Sequence, residues 1–349
     1  MTASRTWSVA LTGIDGALVE VEADQSNQTP DFRIIGMPDS ALREAAARVH
    51  NAAANCGLAL SRRRLTVNLS PASLPKHGSA FDVAIAVAAL ATDGGMDASS
   101  LAATVHLGEL GLDGRLRPVP GVLPAVLAAA RSGFEYVIVP HANADEAALV
   151  DGVQVIGARS LAEVVRWHGA DVADLVCEPV RRHGGEIDDP PGATPDLADV
   201  IGQPEAVDAL IAAAAGSHHL LMSGPPGAGK TMLASRLPAI LPELGDAAAI
   251  EVASIRSLSG EPVRALVRQP PLEAPHHSVS VAALVGGGSR IVRPGAIARA
   301  AHGVLFLDEC NCRFSIQATL YIGKASRYNR CNGNPVVTRS SAERRGSSA

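Results

Sequence analysis

Aromatic side chains are scarce in this chain. Trp, Tyr and Phe together make up 3% of its 349 residues. A core cannot be organised around stacked rings and must close through Ala, Val and Leu, within an apolar fraction of 47%. Cysteine is equally thin. Cys56, Cys177, Cys310, Cys312 and Cys331 form no C-x-x-C pair and no disulfide framework. Cys310-Asn311-Cys312 has no matching His/Cys pair, so reduced thiols are expected rather than half a metal site. No apolar run reaches the ~20 residues of a membrane span. The opening Met-Thr-Ala-Ser-Arg-Thr-Trp lacks the apolar segment of a secretion signal, and the expected location is the cytoplasm. A basic excess is missing too: the net charge of −5 excludes a wholly basic nucleic-acid binder, though not a ring with a basic pore.

What is present is a phosphate-binding loop. Gly224-Pro225-Pro226-Gly227-Ala228-Gly229-Lys230-Thr231 matches G-x-x-x-x-G-K-[ST]. Glycines let backbone N–H groups close around phosphate oxygens where a Cβ would intrude. Lys230 is the residue to neutralise the β- and γ-phosphates, and Thr231 offers a hydroxyl to Mg²⁺. The apolar run His219–Ser223 reads as a strand before the loop. Met232, Leu233, Leu237, Ile240 and Leu241 recur at helical spacing after it, so a helix would point its positive end at the anion. A glycine turn between two core elements is the plainer alternative, and the strand–loop–helix context argues against it. A second motif follows. Val304–Leu307 is an apolar strand ending in Asp308 and Glu309, a Walker B pattern. Asp308 would help hold Mg²⁺ and Glu309 would orient and deprotonate the attacking water, with the acids carried to the sheet edge beside the first strand.

The chain divides by composition. Residues 1–178 alternate strand and helix candidates. Strands are expected at Trp7–Leu11, Val19–Ala23, Phe32–Ile35, Arg64–Leu69, Tyr136–Val139 and Val153–Ile156. A helix capped by Asp39 runs to Cys56 with Leu42, Ala46, Val49 and Ala53 on one face, and Phe81–Ala91 reads as a buried helix. Residues 179–196, rich in Pro, Gly and charge, read as a linker, 197–309 as a nucleotide-binding core, and 310–349 as an atypical basic tail expected to lack order.

With both motifs placed, the chain resembles the magnesium-chelatase-like AAA+ ATPases, in the ComM-type (YifB) branch. Asp199–Gln203 resembles the segment leading into the nucleotide site. Ala274-Pro275-His276-His277-Ser278 and Ala282–Gly288 resemble the insert before Walker B. Pro294–Ile297 and Ala301–Val304 then run into Asp308-Glu309. Ile34–Asp39 and Val67–Ala72 resemble the N-terminal domain of that family. The resemblance implies an α/β fold: an N-terminal Lon-protease-like α/β domain followed by a partial AAA+ P-loop α/β domain. It also implies ATP and Mg²⁺ as cofactors, DNA as a partner, a homo-oligomeric (hexameric) ring in intact family members, and no membrane partner. Lon-like proteases place a Ser in a Pro-Lys-Asp-Gly-Pro-Ser stretch and a Lys after a Gly-Gly-Leu turn. Here Ala80 and Leu123 fall at those positions, with Ser79 one place off, so no protease activity is expected. His276-His277 reads as a contact loop rather than a metal site, and Arg62-Arg63-Arg64 as a solvated turn rather than a phosphate contact.

After Glu309 the resemblance stops. Residues 310–349 hold seven Lys and Arg against one acid, a charge of +6 that leaves −11 on residues 1–309 of the total −5. That shift reads as a frame-shifted or truncated gene, with a basic DNA-binding tail as the alternative. Neither Arg293 nor Arg299 can be assigned as an arginine finger, so Mg-ATP binding is expected to be more secure than hydrolysis. Three functions compete: a ComM-type DNA branch-migration motor used in recombination and natural transformation, a magnesium-chelatase-type motor that remodels a partner, and a nucleotide-binding fragment without motor activity.

Overall fold

The computed structural model describes residues 3–58, 60, 63–173, 177–178, 180, 195–287 and 293–308, together with the backbone of 317–322 and 336–339. It forms two compact α/β units. The first spans Met1–Gly184 with Arg256–Ala265, the second Gly185–Ile255 with Leu266–Ala349.

The first unit is built on a mixed seven-stranded sheet. Its strands are β1 (Ser4–Thr12), β2 (Asp15–Ser26), β3 (Phe32–Ile35), β4 (Arg64–Ser70), β5 (Thr104–His106), β8 (Tyr136–Pro140) and β9 (Gln154–Ala158); a separate hairpin pairs β6 (Glu109–Leu110) with β7 (Leu116–Arg117). The order is β3-β4-β2-β1-β5-β8-β9. β1 and β2 form a hairpin with Thr12 opposite Asp15, and β4 runs antiparallel beside β2. The remaining neighbours are parallel. The period of two puts Leu65, Val67 and Leu69 of β4 inside and their neighbours half out. The helix Asp82–Ala91 packs on β1 and β2 and is buried from Asp82 to Leu90. An apolar surface on all sides requires that placement, and its Ala and Val side chains let the sheet approach closely without aromatic filler. Four of the few rings form two edge-on pairs, Trp7 with Phe134 and Tyr136 with Trp167.

The single helix expected from Asp39 to Cys56 is two, Ser40–Arg43 and Ala45–Asn55. The break falls at Glu44, whose amide reaches back to Ser40 and Leu42. Leu42, Val49 and Ala53 are buried as the spacing predicts, while Ala46 sits at the rim and Ala45 and Ala52 take the inside.

Among the polar groups buried in this interior, two stand out. Lys76 is buried, and its ammonium is held by backbone carbonyls. Its Nζ donates to the carbonyls of Gly36 and Leu69, each at 3.0 Å, and to that of Pro71. Burial lowers its pKa. The second group is a chain of hydrogen bonds, Thr6 Oγ1 to His106 Nδ1 (2.7 Å), His106 Nε2 to His168 Nε2 (2.8 Å) and His168 Nδ1 to Ser100 Oγ (2.8 Å).

The second unit holds a five-stranded sheet of β10 (Leu220–Ser223), β11 (Leu272–Glu273), β14 (Val304–Leu307), β15 (Gln317–Ile322) and β16 (Val336–Arg339), in the order β11-β14-β15-β10-β16. A small ladder joins β12 (Gly286–Gly287) to β13 (Arg293–Pro294). β15 is antiparallel to both β10 and β14, so those two run in the same direction with one strand between them. The expectation that the acidic strand lies beside the first strand is corrected here, because β15 takes the intervening place. Both β15 and β16 come from the segment 310–349, where order was not expected. The alternation Gln-Ala-Thr-Leu-Tyr-Ile and the β-branched Val336-Val337-Thr338 suit pairing. The linker residues 181–194, Arg62, Cys310, Cys312 and Cys331 lie outside the described residues.

Candidate functional site

The site forms where β10 ends. Leu220 and Met222 are buried and anchor the strand, and Val304, Leu305 and Phe306 do the same for β14. Residues 224–229 then leave the sheet and turn into the helix Lys230–Ala234. The turn needs glycine at two places: Gly227 has φ +80° and Gly229 φ +81°, conformations a side chain disfavours. At Gly229 there is also little room, since a Cβ would lie 3.2 Å from Gln203 Nε2 and 3.3 Å from Met232 Cε.

Lys230 folds back over the loop, with Nζ donating to Gly224 O at 2.9 Å and Pro225 O at 3.1 Å. Thr231 Oγ1 donates to Asp308 Oδ2 at 3.3 Å, joining positions 77 residues apart. These groups border a cleft of about 370 Å³, lined by residues 226–232 and Asp308. One ammonium, one hydroxyl and one carboxylate therefore face a concave, glycine-lined wall. The donor set suits a polyphosphate with a hard cation: oxygens for the metal, backbone amides and a point charge for the anion.

Of the residues expected to bind, Gly224, Pro225, Pro226, Gly227, Ala228, Gly229, Lys230 and Thr231 form one continuous loop, and Asp308 meets it. Glu309 lies outside the described residues. The helix after the loop is shorter than expected. It stops at Ala234, and a second, Leu237–Ile240, follows. Arg236 interrupts the ladder by donating its Nη1 to Met232 O, and Pro238 lies at the start of the next turn. Five residues align few peptide dipoles, so the loop geometry and Lys230 matter more to an anion here than a long helix would.

Comparison with known proteins follows the same division. A family model described as "Magnesium chelatase, subunit ChlI" matches residues 196–319, and one described as "Subunit ChlI of Mg-chelatase" matches residues 21–143. The chain is 44% identical over 311 residues to the competence protein ComM of Haemophilus influenzae, covering 88% of this chain and 60% of that protein. It is 39% identical over 316 residues to the uncharacterized protein YifB of Escherichia coli K12, with 88% and 60% covered. The chain belongs to the ComM/YifB family. Another relative, an uncharacterized protein of Mycobacterium tuberculosis H37Rv, is 49% identical over 315 residues, 89% of this chain and 61% of its own. The chain thus spans about 60% of the length of these family members. A more distant similarity, 26% over 141 residues and 39% of this chain, reaches Lon protease of Mycolicibacterium smegmatis.

Other residues singled out by the ComM/YifB resemblance are accounted for in place. Arg299 donates from Nε (3.2 Å) and Nη2 (3.0 Å) to Glu273 and from Nη1 to Pro294 O (3.3 Å), so it is tied within its own unit. The rings of His276 and His277 stack with centroids 4.0 Å apart. Adjacent histidines were expected to diverge, as they do on a regular element; they lie instead in a turn, which lets the rings meet. No group of three or more His, Cys, Asp or Glu among the described residues could hold a metal. Ser79 Oγ donates to Glu109, Ala80 carries no nucleophile, and Leu123 is buried in the helix Val122–Arg131. Arg64 opens β4 and donates to Gln28. Gln203, the last residue of the Asp199–Gln203 segment, reaches the loop at Ala228 O, a contact that no motif in the sequence announces. No helix among the described residues is long and apolar enough to cross a membrane.

Proposed function

We propose that this chain binds Mg-ATP at the Gly224–Thr231 loop, and that the second unit is an AAA+ P-loop core of a ComM-type motor acting on DNA. The observation that carries the reading is the meeting of Thr231 and Asp308 at 3.3 Å beside Lys230. Two oxygens from distant segments, set close together at the mouth of a glycine-lined loop, match what a magnesium-bound triphosphate needs. Thr231 and Asp308 would hold Mg²⁺, which when bound would supply neutralisation of the phosphate charge. Lys230 would exchange its two loop carbonyls for phosphate oxygens, and the loop amides would hold the anion. Glu309, next in the chain, is the residue to position an attacking water. The Lon-like N-terminal unit acts as a docking or substrate-engaging body without protease chemistry, because Ala80 and Leu123 supply neither nucleophile nor base. Branch migration of DNA by a homo-oligomeric ring is the activity that kinship with a competence protein supports.

Fluorescent mant-ATP titration tests the first step. Saturable, Mg²⁺-dependent binding is expected in the native chain. Lys230→Ala should lose it, and Asp308→Asn should weaken its Mg²⁺ dependence. Binding that survives Lys230→Ala unchanged would remove the loop from the account. Salt-sensitive binding to branched DNA separates the DNA motor from a chelatase-type motor that remodels a protein partner, for which none is expected.

A further inference from the structure

The loop is held from outside by a residue that sits 25 positions upstream. Gln203 Nε2 donates to Ala228 O at 3.2 Å. The Gln203 backbone is itself fixed, since its carbonyl accepts the Val207 amide at 3.1 Å and Pro204 begins the helix Pro204–Gly216. The same upstream segment makes a second tie: Asp196 O accepts from Arg236 Nε at 2.9 Å. Residues 196–203 therefore grip the phosphate-loop element at both ends, at Ala228 before its helix and at Arg236 after it.

From this geometry we infer that Gln203 is a positioning residue of the phosphate loop, holding the Ala228–Gly229 peptide in the orientation that binds a polyphosphate. A peptide followed by a left-handed glycine can rotate at low cost, because Gly229 has no Cβ to resist. Peptide planarity links the two ends: with the Ala228 carbonyl held toward Gln203, the Gly229 N–H points to the opposite side. The amide is then prepaid in orientation before the anion arrives, and affinity rises because less ordering remains to be done on binding. A Cβ on residue 229 would crowd both Gln203 Nε2 (3.2 Å) and the Met232 methyl (3.3 Å), so glycine leaves the room the Gln203 amide occupies. This inference rests on the ATP reading of the loop.

The test uses the full chain, mant-ATP and two variants. Gln203→Met keeps length and removes the donor; Gln203→Glu keeps shape and sets an acceptor against the Ala228 carbonyl. One neutral hydrogen bond corresponds to about five-fold in affinity. Both variants are expected to bind mant-ATP about five-fold or more weakly, with the nucleotide-free melting midpoint unchanged and the nucleotide-induced rise in that midpoint reduced. Variants that bind as well as the native chain overturn the inference and leave the ATP reading standing. A fall in nucleotide-free melting that accounts for the whole loss also overturns it, since Gln203 would then act on folding alone. Failure of the native chain itself to bind mant-ATP sinks the ATP reading and this inference with it.

Discussion

His106 and His168 share one hydrogen bond inside an apolar interior, and each neutral imidazole has a single N–H to give. The Thr6–His106–His168–Ser100 chain is satisfied with both rings neutral, one Nε2 donating and the other accepting, whereas protonating both would set two N–H groups against each other between the Nε2 atoms. Burial pushes His106 down to about 3 and His168 down to about 4, and the neighbouring ring adds to the shift at His106. Both values lie below the ordinary 6.5, so the unfolded chain takes up protons first as pH falls. The contribution is complete above about pH 6.5 and is lost as pH drops from there through the folded values. Urea denaturation between pH 7.5 and 4.5 should show stability of the first unit falling by up to about 1.4 kcal/mol per pH unit per histidine. His168→Gln should reduce the slope by about half. A flat profile would show that the rings are not neutral partners. None of this is visible in the sequence, where both histidines are isolated among apolar neighbours.

Elements fare differently. The Asp39 cap was legible because a short acid before an apolar-periodic run has one common use. The structure adds a second duty. Asp39 accepts the Leu42 amide at 2.8 Å and, through its other oxygen, the Gly78 amide at 3.1 Å, tying the helix start to the loop after Lys76. Asp39→Ala should therefore cost about 1–2 kcal/mol, and Asp39→Asn less, read from the denaturant midpoint of the first unit. An effect below about 0.3 kcal/mol for the alanine variant would show that neither bond matters. The break at Glu44 and the early stop at Ala234 were not legible, because helical spacing continues through both. At the second, the Arg236 guanidinium takes the Met232 carbonyl, and such a bond has no periodic signature. The strand between β10 and β14 was missed for a similar reason: β15 is only six residues long and lies in a segment with a different composition.

At the scale of the whole molecule, two units carry separate cores, one of Ala, Val and Leu around the helix Asp82–Ala91 and one around β10 and β14. Ligand linkage should be seen in the second. At about 100 times its Kd, Mg-ATP would stabilise the bound state by about 2.7 kcal/mol. Hydrogen exchange should slow most for amides in 220–234 and 304–308; no change in those segments at saturating Mg-ATP would contradict binding at the loop. The chain spans about 60% of the length of its family members, and motor activity belongs to the assembled architecture of the family as a proposal.

By itself the sequence determined the chemistry that short, contiguous patterns can carry: the glycine loop with Lys230 and Thr231, the acidic strand tip at Asp308, the Asp39 cap and the kinship with the ComM/YifB family. Only the tertiary structure decided which distant groups meet. Thr231 and Asp308 are 77 residues apart, Gln203 and Ala228 25, His106 and His168 62. Those encounters depend on strand order, register and the burial of particular faces, and such quantities are set by the packing of the whole sheet rather than by any local run of residues.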